Sequence, residues 1–470
     1  MLSNVMLLVG NCLVTILAGL ASPLLTPYLM LSDKRRCTLL ARFGIKNGIR
    51  APVDRSARRP IWVHALSVGE TLAAVPLLKA LRHRYPGRPL YFSVSTRSGL
   101  ETARSALAGL VDAVFVSTLD VPLAIRRLTW KVNPAAVILV ESDVWPNFVQ
   151  VMRNKKIPVF WVNARLSERS YRRFRRIAPL ARLFFGRFDG ICVQSPEDRE
   201  RLLGLGVPAE LVTHAGNLKF DQAAPALTRD DRTALRKRLG LHPADRLLLA
   251  GSTHDGEEAL VLQTWRRLRP DCPNLRLVVA PRDPNRARAI VDLCRAHGFT
   301  PERWSGTSAT QAQHADVMII DCLGLLKNLY AVADIALVGG SLLDYEKVGG
   351  HNPLEPAAFA TPTLVGPNMK NFPEITRLLK EGEALVQLAD SDHLHAAVSA
   401  LLGDPAAARE MGERARAALV AHRGAAAKMV QSVDAKWDRL QQAALHSDPR
   451  RWRRKGAAGL SESTSLPLQP

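Results

Sequence analysis

Short apolar segments alternate with stretches of helical spacing along most of the chain, and this pattern constrains the fold more than any other feature. The predicted strands of the first half are Ile61–Ala65, Leu90–Val94, Ala113–Ser117, Ala135–Val140, Pro158–Val162 and Gly190–Val193. Those of the second half are Leu247–Gly251, Leu275–Ala280, Val317–Ile320, Ile335–Val338 and Thr363–Val365. Buried strands separated by helices are typical of a parallel sheet covered on both faces. The sequence therefore predicts an α/β protein with two doubly wound, Rossmann-like domains that face each other across a cleft.

Changes in composition give the expected boundaries of these domains. The alternation weakens in a polar, charged stretch, which we interpret as a linker, and the last residues are rich in Ser, Pro and Gly, which is typical of disorder. The predicted segments are an N-terminal anchor (1–35), a first α/β domain (45–220), the linker (221–244), a second α/β domain (245–445) and a disordered tail (446–470).

The predicted anchor is an apolar segment from Val5 to Leu31 that contains no charged residue. Its length exceeds the roughly 20 residues that span a bilayer. A cleaved signal peptide is the alternative, but no Lys or Arg precedes the apolar segment. The basic residues Lys34, Arg35 and Arg36 follow it, which places the remaining chain on the cytoplasmic side. We expect an uncleaved N-terminal anchor with both α/β domains in the cytoplasm.

The charge balance favours an anionic partner. Lys and Arg number 64 against 43 acidic residues, a formal net charge of +21. Nucleic acid, an acidic membrane and a phosphorylated substrate all fit such a charge. The chain has no motif of a common nucleic-acid-binding module, so we expect no nucleic-acid partner. Its six cysteines include no C-x-x-C pair, which indicates reduced thiols and neither disulfides nor a metal site.

One segment, residues 165–187, concentrates arginine among aromatic side chains. Its candidate binding residues are Arg165, Arg169, Arg172, Arg173 and Arg176. A basic amphipathic segment is typical of a membrane surface or of anionic-lipid binding. The alternative is a solvated arginine face, which explains the charge but not the density of aromatic residues.

Polar residues follow several predicted strands of the first domain. Glu70 follows the first strand in a Ser67-x-x-Glu70 pattern, and Glu141 directly follows the fourth. Lys219 lies at the junction with the linker. Because ligands of doubly wound sheets bind at the carboxyl ends of strands, these residues are candidates for acid–base chemistry and anion binding. The alternatives are a helix capping box at Glu70 and a solvated linker charge at Lys219.

Two segments of the second domain suit a phosphate. Pro281-Arg282 follows a strand, and Gly349-Gly350-His351-Asn352-Pro353-Leu354-Glu355 follows another. Asn352 is expected to cap a helix that starts at Pro353, with Glu355 completing a capping box. A glycine turn before a helix start attracts anions, although an ordinary helix start explains the same residues. The absence of a Walker A or G-x-G-x-x-G motif argues against ATP hydrolysis and NAD.

Taken together and in this order, the motifs resemble those of the Kdo (3-deoxy-D-manno-octulosonic acid) transferases of lipopolysaccharide assembly, glycosyltransferase family 30, with the GT-B fold. The matching segments are Trp62–Ala65, Ser67–Glu70, Glu141–Asn147, Asn163–Ser170, Gly216–Asp221, Ala280–Arg282, Gly339–Ser341 and Gly349–Pro356. The resemblance implies inverting transfer of Kdo from CMP-Kdo to a lipid A precursor (lipid IVA) at the inner membrane, with no metal and no cofactor.

The resemblance also implies roles for individual residues. Glu70 matches the general base of the family, and Glu141 and Lys219 match residues that support the transition state. The segments that match those holding CMP contain Pro281, Arg282, Gly324, Leu325, Leu326, Asn352, Pro353, Leu354 and Glu355.

The sequence departs from the family in three places. Residues 342–348 form a longer connection than is usual, Leu325 stands where the family tends to have Glu, and Asp283 stands where a His often follows Pro-Arg. Two other functions stay open: a UDP-sugar transferase or epimerase of the same fold, and a membrane-bound protein that binds lipid or nucleotide with a decayed site.

Overall fold

The chain forms two compact units in the computed structural model, which describes residues 41–446 except for 44, 46–47, 50–57, 142–143, 223, 225 and 347. The first unit comprises Met1–Gln222 and Gly424–Pro470, and the second comprises Ala223–Arg423. The predicted anchor (1–35) and all but the first residue of the predicted tail lie outside the described residues. Each unit contains one seven-stranded parallel sheet, which confirms the expected pair of Rossmann-like α/β folds.

The first unit alternates strands with helices along most of its length. Its strands are β1 (Ile61–Ala65), β2 (Leu90–Val94), β3 (Ala113–Val116), β4 (Ala136–Val140), β5 (Val159–Ala164), β6 (Gly190–Val193) and β7 (Val212–His214). The helices between them are α1 (Val68–Ala73), α2 (Val75–Arg84), α3 (Arg97–Ala106), α4 (Pro122–Val132), α5 (Pro146–Asn154), α6 (Glu168–Arg175), α7 (Ala178–Phe185) and α8 (Pro196–Gly204). A short 3-10 helix, Leu218–Asp221, ends this part of the chain.

The second unit repeats the same architecture. Its strands are β8 (Arg246–Thr253), β9 (Leu275–Pro281), β10 (Pro301–Arg303), β11 (Val317–Ile319), β12 (Ile335–Val338), β13 (Thr363–Val365) and β14 (Val386–Gln387). Its helices are α9 (Arg229–Arg238), α10 (Glu257–Leu268), α11 (Ala287–Ala296), α12 (Ala309–His314), α13 (Leu326–Tyr330), α14 (Leu354–Ala357), α15 (Pro373–Glu381), α16 (Leu394–Gly403) and α17 (Pro405–Ala421). Helix α18 (Ala425–His446) follows in the part of the chain that belongs to the first unit.

The central strands are buried on both faces, which explains their continuous apolar sequences. All five residues of β4, Ala-Val-Ile-Leu-Val, are buried, as are all five of β1. Alternate side chains of each strand enter separate hydrophobic clusters on the two faces of the sheet. Two-sided burial of this kind is the usual environment of a parallel strand.

The strand orders place the reversal of each sheet at its centre. The first sheet has the order β3-β2-β1-β4-β5-β6-β7, so the chain builds outward from β1 in one direction and from β4 in the other. The second sheet has the order β10-β11-β9-β8-β12-β13-β14, with the same reversal between β8 and β12. Open α/β sheets bind ligands outside the carboxyl ends of the strands at this reversal, and several of the predicted site residues follow these strands.

The predicted end of the second domain at residue 445 is wrong. Helix α18 packs in the first unit, where its residues Met429, Val433 and Trp437 are buried in a core shared with β1 and β2. Asp221 fixes the start of this helix by accepting hydrogen bonds from the N–H groups of Gly424 and Ala426, both at 2.6 Å. The sequence of α18 is amphipathic in either context, so the pattern alone does not show which sheet it covers.

The predicted linker (221–244) is also more structured than expected. It contains α9, whose Thr228 side chain accepts from the N–H of Asp231 while the Asp231 carboxylate accepts from the N–H of Thr228. Leu235 and Leu239 attach the helix to a hydrophobic cluster of the second unit. The charged residues that suggested a linker are the exposed face of this helix.

No helix within the described residues is both long enough and apolar enough to cross a membrane.

Candidate functional site

Glu70 and Glu141 follow the two strands at the reversal of the first sheet. β1 pairs with β4 in parallel, with His64 opposite Leu139, so both strands end at the same edge. Glu70 lies in the first turn of α1, and Glu141 directly follows β4. Although both are carboxylates, both are buried, with relative exposures of 7% and 8%. A buried carboxylate needs specific hydrogen bonds or an ion pair, and both residues have them.

The contacts of Glu70 hold its carboxylate in place. The Ser67 side chain accepts a hydrogen bond from the N–H of Glu70 at 3.4 Å, as the predicted capping box requires. In return, Glu70 Oε2 accepts from the N–H of Leu66 at 2.6 Å, one residue before the donor that a capping box uses. The capping interpretation is therefore correct in part. A carboxylate has two oxygens with about four acceptor sites, so accepting this hydrogen bond and acting as a general base are compatible.

Glu141 forms an ion pair with Lys219. Lys219 Nζ lies 3.5 Å from Glu141 Oε1, and the exposures of the two side chains are only 14% and 11%. Asn163 Nδ2 donates to the second oxygen, Oε2, at 3.5 Å. Lys219 lies in the 3-10 helix Leu218–Asp221, and its side chain is largely shielded from solvent by this ion pair, so the alternative of a solvated linker charge is wrong. The neighbouring residues Ser142 and Asp143 lie outside the described residues.

Two of these residues adopt a backbone conformation that costs free energy. Glu141 has φ of 63° and Asn163 has φ of 51°, both in the left-handed region. A non-glycine residue there costs on the order of 1–3 kcal/mol, and such residues concentrate at functional sites. Glu141 directly follows β4, and Asn163 is the last residue but one of the adjacent strand β5. Their side chains meet, because Asn163 donates to Glu141.

A buried chain of amide groups fixes the backbone of Leu218 and Lys219. Asn163 Oδ1 accepts from the N–H of Leu218 at 2.9 Å, and Gln194 Nε2 donates to the Asn163 carbonyl at 2.8 Å. Asn217 Nδ2 donates to Gln194 Oε1 at 2.9 Å, and Asn217 Oδ1 accepts from the N–H of Lys219 at 3.0 Å. Asn163 and Gln194 were not among the predicted site residues. The sequence signal that could have identified them is a polar residue at or just after the end of an apolar strand.

Two histidines meet at the reversal of the second sheet. His254 follows β8, directly after Ser252 (φ of 55°) and Thr253, and His351 follows the loop after β12. Their Nε2 atoms are 2.8 Å apart, and the ring planes differ by 7° with centroids 5.1 Å apart. This is the geometry of two imidazoles that meet edge to edge through one N–H···N hydrogen bond. Neither histidine was among the predicted site residues.

The turn directly after β12 (Gly340–Leu342) precedes the predicted phosphate-binding glycines Gly349 and Gly350, and its own N–H groups are bound to Glu257. Glu257 Oε2 accepts from the N–H of Gly340 at 2.7 Å and from that of His254 at 2.9 Å. Its Oε1 accepts from the N–H groups of Ser341 and Leu342, both at 2.9 Å. Glu257 is completely buried at the first position of α10. The turn is thus a structural link between β8, α10 and β12.

Replacing Glu257 with glutamine is expected to destabilise the protein strongly. The amide substitutes an NH₂ group for one oxygen, so two backbone N–H groups lose their acceptor and face a donor. Each hydrogen bond to a charged group contributes about 1.5–3 kcal/mol, so we expect a loss of about 3 kcal/mol or more, measured by guanidinium unfolding. Glu381→Gln, at an exposed position of α15, is the matched control. Equal unfolding midpoints for the two variants would contradict this role.

The predicted helix of the donor segment begins one residue later than expected, at Leu354 and not at Pro353. α14 is a single turn, and Asn352 Oδ1 accepts from the N–H of Leu354 at 3.1 Å. Among the described residues the reciprocal bond of the predicted capping box is missing, because Glu355 lies beside Lys327 at 4.0 Å. Burial raises the pKa of Glu355, opposed by the charges of Lys327 and Arg282. The carboxylate is therefore available for a contact other than helix capping.

The predicted donor residues nevertheless converge on one edge of the second sheet. Arg282 follows Pro281 at the end of β9, and its charge acts on His254, His351 and Glu355. The segment Gly324-Leu325-Leu326 leads into α13, whose residues contact α14 and the end of β8. These segments are far apart in the sequence but follow adjacent parallel strands.

The longer connection after β12 packs against the turn after β8. The Tyr345 hydroxyl donates to the Asp255 carbonyl at 2.6 Å, and its ring lies 5.4 Å from that of His254. Lys370 Nζ lies 2.6 Å from Asp344 Oδ1. Residue 347 lies outside the described residues. The additional residues therefore line one side of the histidine pair.

The arginine-rich segment divides into α6 and α7. Arg169, Arg172, Arg173 and Arg176 line a surface cavity of about 420 Å³ with Glu168, whereas Arg165 precedes the helix and is not among the lining residues.

The aromatic residues of this segment pack against a hydrophobic cluster of the first unit. Phe185 packs against Trp161, Phe174 and Phe184 with ring centroids 5.1–5.6 Å apart. Burial in the core explains them, because each covers apolar area that the two short helices would otherwise expose. The exposed surface of this segment is therefore formed mainly by its arginines and only to a small extent by its aromatic residues.

In the described part of the chain, no three His, Cys, Asp or Glu side chains converge as metal ligands would. The expectation that the reaction needs no metal stays a prediction.

The fold defines a class of protein: two Rossmann-like α/β units, each with candidate site residues at the ends of its parallel strands. The UDP-GlcNAc 2-epimerase from Neisseria meningitidis, solved bound to UDP-GlcNAc, has this fold, with a TM-score of 0.56 over 80% of this chain and 99% of its own. Its sequence identity is 13%, so the likeness is one of fold alone.

Sequence similarity identifies the family. Residues 38–222 match the family described as 3-deoxy-D-manno-octulosonic-acid transferase (kdotransferase). The 3-deoxy-D-manno-octulosonic acid transferase of Haemophilus influenzae (strain ATCC 51907 / DSM 11121 / KW20 / Rd) is 34% identical over 404 residues, covering 85% of this chain and 91% of the relative. That of Bordetella pertussis is 32% identical over 401 residues, covering 84% and 90%. The chain belongs to the 3-deoxy-D-manno-octulosonic acid transferase family.

Proposed function

We propose that this protein transfers Kdo from CMP-Kdo to a lipid A precursor, lipid IVA, in lipopolysaccharide biosynthesis. The second unit binds the donor, and the first unit carries the base that activates the acceptor hydroxyl. The transfer inverts the anomeric carbon and uses no metal or cofactor. Family membership supports the transfer of Kdo, and the geometry of the two strand-end sites supports the assignment of residues.

The observation that carries the proposal lies in the first unit: a held carboxylate and a buried ion pair follow the two strands at the sheet reversal. Glu70 has the fixed position that a general base requires, and it removes the proton of the acceptor hydroxyl. Lys219, held by Glu141 and the amide chain, supplies a positive charge where negative charge develops in the transition state.

The donor edge of the second unit has the groups that a nucleotide sugar needs. Arg282 is a planar cation suited to a phosphate or a sugar carboxylate. Glu355 has two acceptor oxygens for the hydroxyl groups of a ribose. We propose that Gly324–Leu326 and Asn352–Leu354 contact CMP from either side of Glu355, because both segments lie at this edge.

The acceptor is an anionic lipid, and the exposed arginines of α6 match its charge. Phosphates of a lipid A precursor suit a cavity lined by four arginines. The same charge draws this surface toward the anionic face of the inner membrane. We propose that residues 1–35 anchor the protein there and that both units lie in the cytoplasm.

A direct assay tests the proposal. Purified protein is incubated with CMP-Kdo and a tetra-acylated lipid A precursor, and release of CMP is measured together with the mass of the lipid. We expect a mass increase of one or more Kdo residues that matches the CMP released. Turnover of a UDP-sugar without any product from CMP-Kdo would favour the alternative of a UDP-sugar transferase or epimerase of the same fold. Binding of both ligands without turnover would favour the non-enzymatic alternative.

Reversing two charges on α6 is expected to weaken acceptor use. In Arg172→Glu/Arg173→Glu, repulsion replaces attraction at the cavity, so the acceptor concentration at half-maximal rate should rise at least tenfold and binding to anionic liposomes should fall. Arg266→Glu/Arg267→Glu, an exposed adjacent pair on α10, changes the net charge equally and is the control. Unchanged liposome affinity, or an equal loss in the control, would identify the α6 arginines as an ordinary solvated face.

A further inference from the structure

The His254–His351 pair has no assigned part in the transfer described above, although it lies at the reversal of the donor sheet. Both side chains are half-buried, so they are accessible from the edge that holds Arg282. His351 lies so close to Gly340 that a Cβ there would come within 2.9 Å of its ring, and Gly340 has φ of 66°. The backbone at Gly340 therefore leaves room for the imidazole ring of His351 beside His254.

The geometry of the pair permits one proton between the two rings. An Nε2···Nε2 separation of 2.8 Å requires one nitrogen to donate an N–H and the other to accept with its lone pair. A proton on each nitrogen would bring two donors and two positive charges together. The observed arrangement therefore belongs to an uncharged pair or to a pair that shares a single positive charge.

The surroundings keep the pair uncharged in the absence of an anion. Burial lowers the pKa of His254, with Arg282 and Arg286 adding to the effect and Glu257 and Glu258 opposing it. Burial, followed by His254 and Arg282, lowers the pKa of His351 to about 4.

The acidic neighbours of the pair are already engaged. Glu257 accepts four backbone N–H groups, as described above. Glu258 and Asp255 both pair with Arg286, at 2.6 Å in each case. Tyr345, on the remaining side, donates its hydroxyl hydrogen to a carbonyl. These carboxylates are committed to other partners, so the pair is suited to meet an anion brought by a ligand.

We propose that His254 and His351 form the subsite for the donor phosphate, and that the pair takes up one proton when the nucleotide binds. This inference rests on the proposed transfer from CMP-Kdo. During transfer the bond between the anomeric carbon and the phosphate oxygen breaks, and its electron pair stays on that oxygen. The acceptor oxygen bonds to the carbon and gives its proton to the base. The charged pair donates a hydrogen bond to the departing phosphate and balances its second negative charge.

The sign of the pH dependence follows from this uptake. The free pair is uncharged above pH 6.5, because both histidine pKa values lie below the usual value. A bound phosphate favours the charged form and raises the pKa of the pair. Binding then consumes a proton, so the affinity for CMP should fall as the pH rises, by up to about tenfold per pH unit for one coupled proton.

Calorimetric titration with CMP tests the inference. Heats are measured between pH 6.5 and 8 in two buffers of different ionisation enthalpy, for the wild type, His254→Gln and His351→Gln. His393→Gln, an exposed histidine before α16, is the control. CMP itself titrates near the lower end of this range. The proton uptake that belongs to the protein is therefore the difference between the uptake measured for the wild type and that measured for the variant. Thermal melting confirms that each variant is folded.

We expect proton uptake in the wild type and the control, its loss in both pair variants, and at least tenfold weaker binding of CMP by those variants at pH 6.5. Uptake that persists in the variants, or a wild-type affinity independent of pH, would overturn the inference. Turnover of CMP-Kdo by the wild type is measured in parallel. If turnover occurs without proton uptake, the proposed transfer stands and the role of the pair is wrong. If CMP neither binds nor is released from CMP-Kdo, the proposed transfer is wrong and the subsite with it.

Discussion

Glu70→Gln is expected to reduce the rate of transfer by about 10²- to 10⁴-fold while the affinity for CMP stays within a factor of two. The range is the usual contribution of a general base. The glutamine carbonyl oxygen is able to accept the hydrogen bond from the Leu66 N–H that Glu70 Oε2 accepts at 2.6 Å, so the turn before α1 is retained. The measurement is the initial rate of CMP release with saturating donor and acceptor.

Ser67→Ala is the matched control, because it removes the side chain that accepts from the N–H of Glu70 and leaves the carboxylate. Loss of such a cap costs about 1 kcal/mol of stability. We expect Ser67→Ala to lower the melting temperature and keep at least a third of the rate. A Glu70→Gln enzyme with near-normal turnover would show that the carboxylate serves only the helix start, and equal rate losses in both variants would show the same.

The apolar runs predicted the central strands well, because these strands are buried on both faces. β1, β2, β6, β12 and β13 have the predicted bounds, and the others differ by one to three residues. The three strands that the sequence did not indicate are β7, β10 and β14, which have only two or three residues and lie at sheet edges. One face of an edge strand is often exposed, so it needs no continuous apolar sequence.

Contacts between distant parts of the chain were less accessible from the sequence. Nothing in the composition of α18 shows that it returns to the first unit, since any amphipathic helix covers either sheet equally well. The buried carboxylate of Glu257 had the appearance of an ordinary first-turn acid. Its partners, the N–H groups from Gly340 to Leu342, are more than eighty residues away. Long-range hydrogen bonds of this kind leave no local periodicity.

The candidate site likewise has residues that the sequence predicted and contacts that it did not. Glu70, Glu141 and Arg282 follow strands, and the rule that ligands bind at strand ends was enough to single them out. The ion pair of Glu141 with Lys219 and the hydrogen bond of His254 with His351 depend on the strand order, which the sequence does not specify.

Lys219→Met is expected to reduce transfer by about 10²- to 10³-fold and to destabilise the first unit. The rate falls because the site loses a fixed positive charge, an effect of the size found for other electrostatic groups of active sites. Stability falls because Glu141 stays buried without its cation, which costs about 3 kcal/mol. The measurements are the rate of CMP release and the midpoint of guanidinium unfolding. Arg416→Met, which breaks an exposed ion pair with Glu413 on α17, should cost less than about 1 kcal/mol.

The double variant Glu141→Gln/Lys219→Met separates the structural effect of the pair from its effect on the reaction. Removing both charges leaves no unpaired ion, and the introduced glutamine keeps an oxygen that accepts from Asn163, so most of the lost stability should return. The rate should stay at the level of Lys219→Met, because the cation that faces the developing charge is still missing. Recovery of the rate together with stability would show that the pair only maintains the fold. In that case the strained backbone at Glu141 and Asn163 would need an explanation other than transfer.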